Sequence, residues 1–242
     1  MNENPALIET RALVKAYDLL VVLRKLDLQI QRGEFVALLG PNGSGKSTLL
    51  RLLAGLTRPT SGTILIGGWE LPREAAAVRA QIGMVSHRSL LYENLTAREN
   101  LRFFARLYNL NPTTDHIDTL LRQVGLYKRG DSLVRTFSRG MLQRLSIARA
   151  LLHRPDVLLF DEPYTGLDQD AGRTLDNLLA QAHSEGHTIV MTTHELDRAA
   201  RIASRVLILS RGTIGYDAPA SQLPPGELAA RYGELTGMVV IQ

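Results

Sequence analysis

The spacing of apolar residues changes twice along this chain. Ile8 to Val14 and Leu26 to Ile30 read as strands, and Arg32-Gly33 turns into Phe35-Val36-Ala37-Leu38-Leu39, an unbroken apolar run of strand length. Thr63 to Ile66, between Pro59-Thr60-Ser61-Gly62 and Gly67-Gly68, is a further short strand, followed by Ile82 to Val85. From Thr96 the period becomes helical. Thr96 with Glu99 makes a capping box, and Leu101, Phe104, Leu107 and Tyr108 recur at helical spacing. Pro112 to Val124 predicts a second helix, and a third begins near Ser138 with Leu142, Leu145, Ala148, Leu151 and Leu152 on one side. Phe103, Phe104 and Tyr108 are expected to fill the core between these helices. The pattern then returns to strands at Val157 to Phe160, Thr188 to Met191 and Val206 to Leu209, with helical segments between them. The turn Pro224-Pro225-Gly226 is expected to lead only to a short tail.

The fold class expected from this order is α/β: a parallel core sheet, an antiparallel β flank and an inserted helical lobe. A single domain over residues 1–242 is expected, with a core lobe of about 1–86 and 155–242 and a helical lobe of about 87–154.

Composition narrows the chemistry. The chain of 242 residues carries 28 Lys and Arg against 24 Asp and Glu, and its basic residues are scattered, so no nucleic-acid tail is expected. With no cysteine, disulfides, thiolate catalysis and Cys-based zinc sites are excluded. MNENPALIET lacks the pattern of a signal peptide, and no apolar run approaches the ~18 residues of a membrane span, so a cytoplasmic, soluble chain is expected. Any membrane role must then run through a partner.

Between the apolar run at 35–39 and Leu49-Leu50-Arg51-Leu52-Leu53-Ala54 lies GPNGSGKST: Gly40, Pro41, Asn42, Gly43, Ser44, Gly45, Lys46, Ser47 and Thr48. Strand, glycine loop and helix in that order form a phosphate cradle, the P-loop of an NTPase. The glycines let successive backbone N–H groups approach phosphate oxygens, and the helix start adds its unpaired N–H groups. Lys46 would reach the terminal phosphates, and the Ser47 hydroxyl would ligate Mg²⁺. The strand at 157–160 ends in Asp161-Glu162-Pro163, two carboxylates where open α/β sheets bind ligands. Asp161 can hold Mg²⁺, and Glu162 can take the proton of an attacking water.

Four more features fall in order: Tyr17, Ser138-Arg139-Gly140-Met141 opening a helix, Thr165-Gly166-Leu167-Asp168, and Thr192-Thr193-His194. With them the whole chain resembles the nucleotide-binding subunit of ATP-binding cassette (ABC) transporters. The resemblance implies that Tyr17 stacks on adenine, Asp161 supports Mg²⁺, Glu162 is the catalytic base and His194 contacts the γ-phosphate. It further implies a head-to-tail homodimer in which Ser138, Arg139, Gly140 and the D-loop Asp168 face the nucleotide held by Lys46 of the other copy. Integral membrane permease subunits are the implied partners, with the chain peripheral at the inner face of the membrane.

Two departures stand out. The signature reads Phe137-Ser138-Arg139-Gly140-Met141 where the family generally has Leu-Ser-Gly-Gly-Gln, and Ser86-His87 stands where a Gln usually follows the strand at 82–85. His87 is therefore a candidate contact to Mg²⁺ and nucleotide. A histidine in that loop, followed by LLYENLTARENLRFFARLY and by FSRGM, resembles the ATP-binding subunit of bacterial haem exporters of the cytochrome c maturation system. A drug, lipid or polysaccharide exporter subunit is the alternative. A cassette acting on DNA or ribosomes is a third reading, disfavoured because Thr48 to Ser138 leaves no room for a coiled coil and only one cassette is present.

Overall fold

The computed structural model describes residues 5–86, 89–111, 113–224 and 226–237. Its strands and helices are, in chain order, β1 (Ile8–Tyr17), β2 (Leu20–Ile30), β3 (Phe35–Leu39), α1 (Lys46–Leu53), β4 (Ser61–Ile66), β5 (Trp69–Leu71), α2 (Ala75–Ala80) and β6 (Ile82–Val85). Then follow α3 (Ala97–Leu107), α4 (Thr114–Gln123), α5 (Arg139–Leu151), β7 (Val157–Asp161), α6 (Gln169–Ser184), β8 (Thr188–Thr192), α7 (Leu196–Ile202), β9 (Arg205–Ser210), β10 (Thr213–Pro219) and α8 (Glu227–Thr236).

Two sheets result. One is antiparallel with order β2-β1-β4-β5; the other runs β10-β9-β3-β8-β7-β6, parallel throughout except for β10 at its edge. Every residue of β3, β7 and β8 is buried, which is why these strands are continuously apolar. Alternate residues serve opposite faces. Phe35, Ala37 and Leu39 join α3–α7 and α8 in one core, while Val36 and Leu38 join α1 and the antiparallel sheet in another.

Several expectations change. β1 and β2 run on to a two-residue turn at Asp18-Leu19, so Tyr17 ends a strand instead of following it. Register shifts near Ala12 and Lys25, both with positive φ, interrupt the period-two pattern from which their ends were judged. The segment after Gly226 forms α8, a ten-residue helix whose Leu228 and Tyr232 are buried, not a short tail. The three aromatics fill an interior only in part: Phe104 packs, half-buried, against the core of the helical lobe. Phe103 and Phe104 are half-buried, in edge-on contact with each other, and Tyr108 is exposed. Phe104 and Tyr108 also help to line an open cleft of about 770 Å³ between α3 and the α1–α2 side of the core.

Candidate functional site

The site forms where β3, β7 and β8 end side by side. The loop after β3 turns at Gly40 (φ 152°), Gly43 (80°) and Gly45 (110°) and runs into α1. Helices α3, α4, α5 and α6 are capped by the side chains of Thr96, Thr113, Ser138 and Asp168, but α1 starts at Gly45 with no side-chain cap and no acid in its first turn. Its first N–H groups are left for an anion. Ser44 Oγ is buried beside them without a hydrogen-bond partner. These donors fit a polyphosphate.

Lys46 is buried, its Nζ donating to Gly40 O (2.6 Å) and Pro41 O (3.2 Å) and standing 3.8 Å from Glu162 Oε1. Burial holds its ammonium below the usual lysine range, against the pull of Glu162 and Asp161. Ser47 Oγ donates to Asp161 Oδ1 at 2.9 Å. A hydroxyl and a carboxylate already in contact are the hard oxygens that Mg²⁺ takes from a protein when phosphates supply the rest.

Thr192 organises the two acids. Its hydroxyl donates to Asp161 Oδ1 (2.9 Å) and accepts the Glu162 N–H (2.9 Å), so one buried side chain of β8 orients both residues at the end of β7. Glu162 has a φ of 50°, a conformation that costs a non-glycine residue about 1–2 kcal/mol and turns the chain off the strand at the candidate base. Its Oε2 lies 2.9 Å from Nδ1 of His194. An ionised carboxylate only accepts, so Nδ1 donates, and Nε2 is the ring nitrogen left for another group. Burial and, after it, the charge of Glu162 push the phenol of Tyr232, on α8, up.

Lys46, Ser47, Asp161, Glu162 and His194 are thus brought together. Asn42 and Gly43 form the exposed tip of the loop, and Thr48 sits half-buried in the first turn of α1. Tyr17 is exposed, with Lys15 Nζ 4.5 Å from its ring centroid, on the β1–β2 hairpin whose Val22 borders Gly45. Ser138, Arg139, Gly140 and Asp168 form a second group, where the N-termini of α5 and α6 meet. A Cβ on Gly140 would stand 3.1 Å from Ala171 Cβ, and the Arg139 guanidinium lies across Gly166. Ser138 Oγ accepts the Met141 N–H (3.3 Å) and Asp168 Oδ1 the Ala171 N–H (2.8 Å), so both side chains cap helices. His87 lies outside the described residues.

A family model described as "ABC transporter" matches residues 23–165, more than half of the chain. The chain belongs to the ABC transporter family. Among curated relatives, this cassette is 37% identical over 234 residues to Nod factor export ATP-binding protein I of Cupriavidus metallidurans, covering 96% of this chain and 77% of that protein. It is 36% identical to the ABC transporter ATP-binding protein NatA of Bacillus subtilis, covering 80% of each. It is also 33% identical to the linearmycin resistance ATP-binding protein LnrL of the same species, covering 85% and 67%. Among solved structures, the post-hydrolysis dimer of the cassette MJ0796 bound to ADP and Pi superposes with a TM-score of 0.80 at 28% identity, covering 88% of this chain and 98% of that one. The cbiO1 subunit from Clostridium perfringens, part of the cbiONQ transporter complex, gives 0.83 at 27%, covering 96% of each. The cassette is an ATPase, and ATP with Mg²⁺ is what it binds.

Sequence reasoning missed Thr192 as a working residue. Its signal was a hydroxyl ending an otherwise apolar strand, two residues before His194.

Proposed function

We propose that this chain is the ATP-hydrolysing subunit of an ABC exporter, acting as a head-to-tail pair that drives integral membrane chains from the cytoplasmic side. The observation that carries the reading is the convergence of Lys46, Ser47, Asp161, Glu162 and His194 at the ends of three adjacent strands. Lys46, the loop N–H groups and the uncapped end of α1 bind and orient the phosphates. Ser47 and Asp161 would hold Mg²⁺, which when bound neutralises charge on the terminal phosphates. Glu162 takes the proton of the attacking water, and His194, held through Nδ1, offers Nε2 to the phosphate side. Tyr17 supplies an aromatic face for the base. The second group, Ser138, Arg139, Gly140 and Asp168, serves the nucleotide of the other copy.

No helix among the described residues is long and apolar enough to cross a membrane, so the membrane partner needs a seat. The cleft is the candidate: Leu56, Leu90, Leu107 and Tyr108 are exposed apolar groups along it, and Arg51 and Arg79 also line it. Haem export linked to cytochrome c maturation is the reading carried by Ser86-His87 and the Phe137–Met141 signature. The relatives named for Nod factor export and linearmycin resistance support a second reading, export of a drug, lipid or polysaccharide. Deleting this chain and measuring c-type cytochromes separates them: loss supports haem export, retention the alternative.

The catalytic assignment is tested by Glu162→Gln, which keeps shape and removes the proton acceptor. Turnover should fall by about 10²-fold or more, about 2.7 kcal/mol in the barrier, with ATP binding retained. Unchanged turnover would remove Glu162 from the mechanism.

A further inference from the structure

The hydrogen bond between His194 and Glu162 joins two chain segments but cannot hold them. The His194 side chain is 65% exposed, and solvent-exposed polar contacts of this kind contribute little to holding two segments together. The alignment of the pair therefore needs another source.

That source lies behind it, on α6 and α7. Arg198 donates through Nη1 to Glu195, the residue after His194, while its Nε stands 3.2 Å from Asp176 Oδ1. Its guanidinium carbon lies 4.1 Å from the ring centroid of Tyr164, two residues after Glu162. Tyr164 Oη donates to the same Asp176 Oδ1 at 2.7 Å, and Arg201 reaches Asp176 Oδ2 at 3.0 Å. The Arg198 and Asp176 side chains are only 16% and 15% exposed, so their ion pair, made without a hydrogen bond at Nε, is less screened than the His194–Glu162 contact, while Glu195 (37%) and Arg201 (61%) lie nearer solvent. The segment carrying His194 and the segment carrying Glu162 are thereby tied to one carboxylate of α6.

The sequence makes room for this. Gly172 lies inside α6, one turn before Asp176, where glycine is a poorer helix former than alanine. A Cβ there would stand 3.0 Å from Arg198 Nη2, a contact relieved by a shift of a few tenths of an ångström. The helix gives up propensity at the position over which the guanidinium lies.

We propose that Arg198 is a positioning residue for ATP hydrolysis, seated between Gly172, Asp176, Tyr164 and Glu195, and that it sets the alignment of His194 with Glu162. The inference rests on the reading of those two residues as the hydrolytic pair. Arg198 touches neither of them.

The test uses the full chain with its membrane partners. Steady-state ATPase, ATP affinity and the unfolding midpoint are measured for Arg198→Met, Arg198→Lys and Gly172→Ala, with Glu162→Gln and His194→Ala as references. Arg198→Met should lower kcat by about tenfold to 10²-fold, the cost of misplacing a reacting group by up to about 1 Å, with KM for ATP within about twofold. Lys, which keeps the charge, should recover part of the loss. Gly172→Ala shifts the guanidinium by a few tenths of an ångström without deleting it and should lower kcat by only about twofold to threefold, in a chain that still unfolds cooperatively at or above the wild-type midpoint. If Arg198→Met fails to fold, Gly172→Ala decides alone. Wild-type kcat in Gly172→Ala, or a loss in Arg198→Met matched by lost ATP affinity, would overturn the proposal. Active Glu162→Gln and His194→Ala would overturn the underlying pair; inactive references beside an active Arg198→Met would overturn the role of Arg198 alone.

Discussion

Gly40→Ala tests whether the phosphate loop works only at its present distance from the sheet. An ideal Cβ on Gly40 would lie 2.2 Å from Leu209 O and 2.7 Å from Ser44 Oγ. The first contact is more than about 1 Å short of van der Waals separation, which is about 3.5 Å. Leu209 belongs to β9, hydrogen-bonded between β3 and β10, so the strand is held on both sides and the loop must give way. A shift of that size removes Gly40 O from the Lys46 ammonium, now 2.6 Å away, and misaligns the N–H groups. Overpacking of this kind costs about 1–3 kcal/mol of stability, which at about 2–4 °C per kcal/mol lowers the midpoint by several degrees. Turnover should fall by about 10²-fold, and ATP affinity should fall with it. Gly186→Ala is the control. It has φ 93° with nothing within 4 Å of the added Cβ, so it carries the backbone strain without the collision and should leave ATPase unchanged. Calorimetric ATP titration, steady-state ATPase and thermal unfolding read the three quantities. A folded Gly40→Ala chain that binds and hydrolyses ATP as wild type would refute the reasoning.

Three other outcomes are expected. Lys46→Ala and Ser138→Arg subunits should each be nearly inactive, and mixing them should restore one composite site per heterodimer; no recovery on mixing would count against the head-to-tail pair. Leu107→Asp, at a side chain 63% exposed in the cleft, should reduce co-purification with membrane chains while changing stability by no more than about 0.5 kcal/mol, and undiminished co-purification would move the seat elsewhere. His153 donates through Nε2 to Ile82 O (3.0 Å), its buried Nδ1 has no partner, and burial holds its pKa below the usual histidine value. With the folded pKa depressed, the unfolded chain takes the proton first, so stability drops as pH falls below about 6.5 and is unaffected above it. Urea unfolding at pH 7.5 and 5.5 should show a smaller acid loss in His153→Gln, by at most about 1.4 kcal/mol per pH unit; equal losses would show that His153 does not titrate between the states.

What could be read from the sequence is what is decided over a few residues. Gly40 to Thr48, the capping pair Thr96 and Glu99, and Ser138 at the start of α5 stand where local pattern put them, because a cap or a loop is made by neighbours. Distant pairings were out of reach. Nothing local tells that Thr192 will bridge Asp161 and Glu162 some 31 and 30 residues away, or that Gly172 makes room for Arg198. β10 alternates between exposed and half-buried residues at an edge, too weak a contrast to register as a strand beside the continuous runs of β8 and β9. The aromatic residues of α3 kept their helical period, but period alone does not say whether the face meets a core or a cleft.

The order β9-β3-β8 has a consequence for the chain during its own synthesis. The strand that carries the phosphate loop is complete by Leu39, yet both of its lateral neighbours are made from residues 188–210. The antiparallel sheet and α1 can assemble early from contacts close in sequence, whereas β3 stands without partners until nearly the whole core has left the ribosome. Ser47 likewise waits for Asp161, 114 residues on. A nascent chain that displays GPNGSGKST therefore has no competent site, and nucleotide binding is among the last properties the chain acquires. ATP capture by ribosome-bound chains of increasing length would accordingly report completion of the sheet, not emergence of the loop.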